Sequence, residues 1–163
     1  DCLLSRGLGD VYKRQVFNLY ELSQEIAFNV DEWSKIISDA SAVIYQFPFY
    51  WMSAPSLLKK WQDEVFTFLS KTPAVAGKSL TVVTTTGSEY EAYRSGGRNR
   101  FTMDELLRPY QVSAIHSGMS WQTPIVVYGM GTADAGKNIA EGANLYKQRV
   151  EMLIGSSNAG NNW

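Results

Sequence analysis

The chain has 163 residues, 45% hydrophobic and 19% charged, with a formal net charge of -1. That size suits one domain around one core, and so small a charge gives no electrostatic case for a nucleic-acid or anionic-membrane partner. Cys2 is the only cysteine and His116 the only histidine, which excludes an intrachain disulfide and a His/Cys zinc site within one chain, so no metal is expected.

In chain order, residues 1–15 (DCLLSRGLGDVYKRQ) fit nothing that follows. DVYKRQ looks like the translation of a transposon-end adapter used in sequencing libraries, so this segment is expected to be non-native and to stand outside the fold. Its CLL is too short for a signal-peptide core, and Gly7-Leu8-Gly9 is weak evidence for a phosphate loop. Residues 16–22 (VFNLYEL) form a mixed strand candidate near an edge. Asn29 and Glu32 have cap-like spacing before a helix that carries Trp33, Ile36 and Ile37 on one face. Residues 42–47 (AVIYQF), 80–85 (LTVVTT) and 125–128 (IVVY) are short apolar runs of the kind found in strands buried on both faces.

Between the first two runs, Ser53 is placed to cap a helix with Pro55 in its first turn and a stripe of Leu57, Leu58, Trp61, Val65 and Phe68. Thr102 and Glu105 have capping-box spacing. Behind them Met103, Leu106, Leu107, Tyr110 and Ala114 form a stripe that Pro109 should break. A last helix carries Ile139, Ala143, Tyr146, Val150 and Leu153, and residues 156–163 (SSNAGNNW) read as a flexible tail. Strands separated by helices predict an α/β doubly wound parallel sheet with helices on both faces, spanning residues 16–155. Ligands in such sheets bind beyond the carboxyl ends of the strands, so the loops of interest are 48–54, 86–99 and 129–136. No membrane-length apolar run is present, and the single cysteine suits a reducing, cytoplasmic compartment.

Residues 46–55, QFPFYWMSAP, crowd four aromatics into a strand-to-helix turn. The turn is either a core plug or the wall of a pocket for a flat ligand, with helix-start N–H groups at the ligand edge. Thr85, Thr86, Gly87 and Ser88 close the next strand with small residues, either as an ordinary turn or as a place where backbone approaches a ligand. Tyr93 is either a proton donor beside a bound ring or a packing residue. Arg94, Arg98 and Arg100 are either a solvated face or a contact for a dinucleotide phosphate. His116 suits a helix end. The adjacent Asp63 and Glu64 make a poor acid/base pair.

QFPFYWMSAPSLLKKWQDEVF, TTTGSEYEAY and LLRPYQVSAIHSGMSW followed by PIVVYG, taken in that order, resemble the NAD(P)H:quinone oxidoreductases of flavodoxin-like fold. The resemblance is nearest to the bacterial ancillary quinone reductases of glutathione-regulated potassium efflux systems, and it covers about residues 16–154. It implies a flavin-dependent enzyme, usually a homodimer, that passes hydride from NADH or NADPH to the flavin and then to a quinone in ping-pong fashion. FMN is the implied cofactor, with FAD as the alternative. Phe49, Tyr50, Trp51 and Met52 would lie against the flavin ring, and Thr85, Thr86, Gly87 and Ser88 would form the second flavin turn. Tyr93 falls where relatives place a tyrosine that helps stabilise reduced flavin. Relatives begin with a strand and a phosphate-binding loop, so the first strand and helix are expected to be missing here and the chain to be a truncated frame. The mammalian catalytic histidine has no counterpart, the alignment there reaching Asn99. Residues 66–77 form a shortened version of a pocket-walling segment, and Ser88 stands in place of a usual glycine. A second reading is a regulatory partner of a potassium-efflux antiporter, peripheral at the inner face of the membrane through that partner. A phosphoacceptor receiver would need acidic residues at the strand ends, and the strand ending at Phe47 offers none.

Overall fold

The structure is a computed structural model that describes residues 2–8, 11–22 and 27–159, with the backbone alone for residues 2–8, 11–14, 22 and 154–159. Strands β1 (Cys2–Leu8) and β2 (Val11–Phe17) come first, then a short helix α1 (Leu19–Leu22) and helix α2 (Val30–Asp39). Strand β3 (Ala40–Pro48) leads to α3 (Ser56–Trp61), a π turn (Gln62–Phe66) and α4 (Thr67–Leu69). Strand β4 (Ser79–Thr85) is followed by a 3₁₀ turn (Tyr90–Tyr93), α5 (Met103–Leu106) and α6 (Arg108–His116). Strands β5 (Ser120–Trp121) and β6 (Ile125–Val127) and the long helix α7 (Ala135–Ala159) complete the order.

The apolar runs make the middle of the sheet. β3 and β4 pair in parallel from Ala42 opposite Ser79 to Pro48 opposite Thr85. β5 and β6 pair in parallel with the start and the end of β4, respectively. They are two pieces of one edge, separated by residues 122–124, where Pro124 has no N–H to offer the ladder. Alternate residues face opposite layers. Val43, Tyr45, Phe47, Leu80 and Val82 pack with Trp33, Leu58, Trp61 and Tyr110 on one side, while Ala42, Ile44, Val83 and Ile125 pack with Leu153 of α7 on the other. Burying each Val, Leu, Ile or Phe of this set contributes roughly 1.5–3 kcal/mol. The first layer is unusually aromatic, with Trp61 meeting Trp33 edge-on at 5.2 Å and Tyr45 at 5.9 Å. On the other side α7 comes very close to the sheet at Gly142, where a Cβ would lie 2.3 Å from Val127 Cγ2.

Several local expectations agree with the fold. Asn29 caps α2 by accepting from the N–H groups of Asp31 and Glu32. Thr102 and Glu105 form a reciprocal capping box, and Pro109 sits in the first turn of a new helix rather than inside an old one.

Others are corrected. The backbone of residues 2–8 does not stand outside the fold. It runs antiparallel between β2 and β3, giving the order β2-β1-β3-β4-β5 with β6 also on β4, so the sheet is mixed rather than wholly parallel. It thereby pairs the N–H and C=O row that β3 would otherwise expose. Residues 16–22 do not continue as a strand. Asn18 accepts from Tyr20 N–H, and its carbonyl accepts from Glu21 N–H, which turns the chain into α1. Ser53 is not the cap of α3, whose N-cap is Pro55.

Phe68 is 58% exposed, and Phe66 and Leu69 are buried in its stead. The π turn winds fewer degrees per residue than an α-helix, so later residues lag in phase, Phe66 swings inward and Phe68 swings out. On α7, Ile139 and Ala143 are exposed and Gly142 faces the sheet instead. The helix backbone continues through Ala159 where a tail was expected, and residues 160–163 lie outside the described residues.

Candidate active site

The carboxyl ends of β3 and β4 lie side by side, and the N–H of Phe49 adds one more rung by donating to the Thr85 carbonyl at 2.9 Å. Beyond Phe49 the chain folds back at once. Tyr50 and Ser53 exchange backbone hydrogen bonds of 2.9 and 3.0 Å, closing a two-residue turn over Trp51 and Met52. Both have positive φ, 47° and 63°, which is type I′ geometry in a place where Asn-Gly would be comfortable. Left-handed backbone at a residue other than glycine costs on the order of 1–3 kcal/mol. The turn is pinned from below by the Tyr110 hydroxyl, which accepts from Ala54 N–H at 3.2 Å and lies 3.4 Å from Ser53 Oγ.

The two alternatives for the aromatic turn divide between its residues. Phe49 is the plug, 7% exposed and edge-on to Tyr93 at 6.1 Å. Tyr50, Trp51 and Met52 are exposed, Trp51 by 99%, and the N–H groups of Trp51 and Met52 make no hydrogen bond among the described residues.

The second turn is built differently. Thr86 N–H donates to Val127 O, while Met130, Gly131 and Gly129 N–H donate to the carbonyls of Thr86, Gly87 and Ser88 at 2.9, 3.0 and 2.9 Å. The Thr86 hydroxyl also donates to Ser88 O at 2.7 Å. Every carbonyl of residues 86–88 is therefore spent on the strap at 129–131. The N–H groups of Gly87 and Ser88 have no partner among the described residues. A Cβ on Gly87 would meet nothing within 4 Å, whereas one on Gly131 would lie 3.0 Å from Gly87 O. One side of the turn is open and the other is locked.

Tyr93 closes the third side. It is 6% exposed, between Phe49 and Tyr128, the latter at 5.9 Å. Burial first, and then the fields of Tyr90, Asp104 and Tyr93, push the Tyr128 phenol up to about 12, so it stays protonated and a donor. Arg98 donates to Ser88 Oγ at 2.5 Å, while Arg94 pairs with Glu91 at 3.3 Å. The Asn99 N–H donates to Ala92 O, and its buried Nδ2 has no partner among the described residues.

Of the sequence-selected residues, the structure brings together Phe49, Tyr50, Trp51, Met52, Thr85, Thr86, Gly87, Ser88 and Tyr93. It leaves His116 at the last turn of α6, toward the amino ends of the strands. Asp63 and Glu64 pair with Lys59 and Lys60. The loop at 129–136 was singled out in the sequence, but its role as a strap beneath 86–88 was missed, as was the pair Tyr90 and Tyr128, whose rings meet at 5.3 Å. The close glycines of GMG were the available signal for the strap.

Two turns thus offer unspent N–H donors past the ends of adjacent parallel strands, with an aromatic wall between them. This suits a flat heteroaromatic ring with acceptors on two edges, as in a flavin, and it defines a ligand-binding protein of the doubly wound α/β class. A family model described as Flavodoxin-like fold matches residues 7–150, and the chain belongs to that family. It is 36% identical over 141 residues to general stress protein 14 of Bacillus subtilis, covering 84% of this chain and 80% of that one. It is 35% identical to the glutathione-regulated potassium-efflux system ancillary protein KefG of Pectobacterium atrosepticum, over 69% of this chain and 64% of that one.

Among solved structures, a general stress protein 14 from Treponema denticola in complex with FMN superposes with a TM-score of 0.74 at 27% identity, covering 83% and 79% of the two chains. An NADPH-quinone reductase from P. pentosaceus gives 0.63 at 32% identity, over 71% and 73%. A protein described as a thermophilic tryptophan halogenase from Streptomycin violaceusniger gives 0.75 at 35% identity, over 83% and 81%.

Proposed function

We propose that this chain is a flavin-dependent NAD(P)H:quinone oxidoreductase, with FMN as its flavin. The observation that carries the reading is the pair of unspent donor turns, Trp51–Met52 and Gly87–Ser88, joined by the Phe49–Thr85 rung. The likeness to an FMN complex and to an NADPH-quinone reductase supports the same chemistry. When bound, the flavin supplies two-electron chemistry, accepting hydride from the nicotinamide and giving it to the quinone in alternate half-reactions.

The chain's own residues do the rest. The N–H groups of Trp51 and Met52 hold one acceptor edge of the ring. Those of Gly87 and Ser88 hold the other, where oriented donors stabilise developing negative charge without reorganising. Phe49 fixes the ring of Tyr93, whose hydroxyl holds a proton beside that edge. The exposed face of Trp51 supplies flat apolar surface and excludes water from one side.

The purified chain is expected to take up FMN, turn yellow and oxidise NADH or NADPH with a quinone as acceptor, giving parallel double-reciprocal plots. A chain that binds neither FMN nor FAD would overturn the reading. The halogenase likeness is answered in an assay run under air with tryptophan and chloride added and quinone left out, where O2 serves as the oxidant and a halogenated product would replace quinone reduction as the assigned reaction.

The KefG likeness supports a second role, in which a homodimer of this chain docks on a cation antiporter at the inner face of the membrane. Among the described residues no helix is long and apolar enough to cross a membrane. Co-purification with that antiporter is the test.

A further inference from the structure

Behind Tyr93 lies a second cavity of about 660 Å³, within the usual range for a small-molecule site. Its near wall is Tyr90, Tyr93 and Tyr128 and its far wall is α7, with Arg94 and Arg149 also in the lining. We propose that it receives the adenosine-phosphate half of the nicotinamide cosubstrate, with Arg149 and Arg94 on the phosphates and the adenine against Tyr90. This rests on the reductase reading given above.

Four observations point there. First, Tyr93 is a shared wall, since its ring meets Phe49 of the flavin turn at 6.1 Å and Tyr128 of the cavity at 5.9 Å. The two sites therefore share a border at Tyr93. Second, the guanidinium of Arg149 is oriented by one hydrogen bond, from Nη1 to Thr123 O at 2.7 Å. A guanidinium has five N–H donors, so the rest are left for a phosphate. Third, Arg94 lies 5.5 Å from the centre of the half-exposed Tyr90 ring, which pairs a cation with a flat stacking surface. Fourth, α7 adds exposed apolar surface at Leu145 and Met152 together with the amide of Gln148.

Asp104 is the lone carboxylate among the described lining residues. It repels phosphate from its own side and suits a ribose hydroxyl or the adenine amino group. Two other hollows are poorer fits. The one at Gly87 and Arg98 has a single cation among its described lining residues, beside Glu89 and Glu91, of which Glu91 pairs with Arg94 at 3.3 Å. The one between α7 and the ends of β3 and β4 has no cation among its described lining residues.

The probes are adenosine 2′,5′-bisphosphate, which has no nicotinamide, and reduced nicotinamide mononucleotide, which has no adenosine. The bisphosphate is expected to bind the full chain, with or without flavin, and to quench tyrosine fluorescence. Arg149→Ala is expected to weaken it about tenfold, the size of one lost charge-assisted hydrogen bond. In turnover, the ratio of kcat/KM for NADPH to kcat/KM for the mononucleotide falls about tenfold in Arg149→Ala and severalfold in Tyr90→Leu, while Arg149→Lys restores part of the loss. Equal losses on both substrates, or no binding of the bisphosphate, would overturn the proposal. A chain that binds the bisphosphate while no nicotinamide substrate reduces its flavin would retain this site and sink the reductase reading instead.

Discussion

The two turns that frame the site reach the same end by opposite means. At 86–88 every carbonyl is tied to the strap at 129–131, and the backbone is relaxed. At 50–53 the turn is held at its base and by one phenol, while its tip is forced into left-handed backbone at Trp51 and Met52. One turn spends hydrogen bonds to become rigid. The other spends conformational energy to push a bulky aromatic into solvent, where a smaller residue would have formed the same turn at less cost. Preorganisation by partners and preorganisation by strain should fail differently, and that difference can be tested.

The largest effect is expected from breaking the rigid turn. Gly131→Val places side-chain atoms against Gly87 O, already 3.0 Å from an ideal Cβ, so the strap must lift away. FMN affinity, measured by titrating apoprotein, is expected to fall by more than tenfold, and a thermal melt is expected to drop by an amount of order 1–3 kcal/mol. Unchanged flavin binding would mean that the strap does not set the donor geometry.

Met52→Gly relaxes the strained turn instead. Removing one left-handed side chain is expected to raise stability by about 1 kcal/mol while loosening the N–H groups at the tip, so the melt rises as flavin affinity falls. Stability and affinity moving in the same direction would erase the contrast between the two turns.

The smallest effect belongs to the wall between them. The buried Tyr128 phenol, pushed up to about 12, keeps its proton in the fold at a pH where an unfolded tyrosine, near 10, has released it. Between about pH 10 and 12 the native state therefore binds more protons than the unfolded one, and stability falls as pH rises through that window. In Tyr128→Phe this part of the alkaline loss is expected to vanish, as read by urea unfolding across that range.

The fold was legible where burial is continuous. The runs of β3 and β4 have no polar face to confuse them, and Asn29 and Thr102 announce their helices by local chemistry that tertiary packing had no reason to override. It was illegible where geometry is set from a distance. VFNLYEL looks like one strand, but Asn18 hydrogen-bonds to its own neighbours and ends it. Ser53 has the composition of a cap, yet its backbone is claimed by Tyr50.

The same division runs through the site. Resemblance picked out Phe49 and Trp51 as one group, but only the structure separates a buried ring from an exposed one. Nothing in a one-dimensional pattern pairs the loop at 86–88 with the strap at 129–131, because loop-to-loop hydrogen bonds follow no period. The cavity behind Tyr93 combines residues from a 3₁₀ turn, an edge strand and the last helix, and no single segment carries its signature.

The π turn at Gln62–Phe66 is where this helix takes in an extra residue. Upstream, Leu58 and Trp61 meet the sheet in one angular setting; downstream, Phe66 and Leu69 meet it in another. Substitutions leave both settings alone. Winding the same residues as plain α-helix would roll Phe68 toward the core and Phe66 toward water, whereas losing one residue within the turn would give plain α geometry with both settings kept. That short stretch therefore holds one residue more than an α-helix needs to join the two settings.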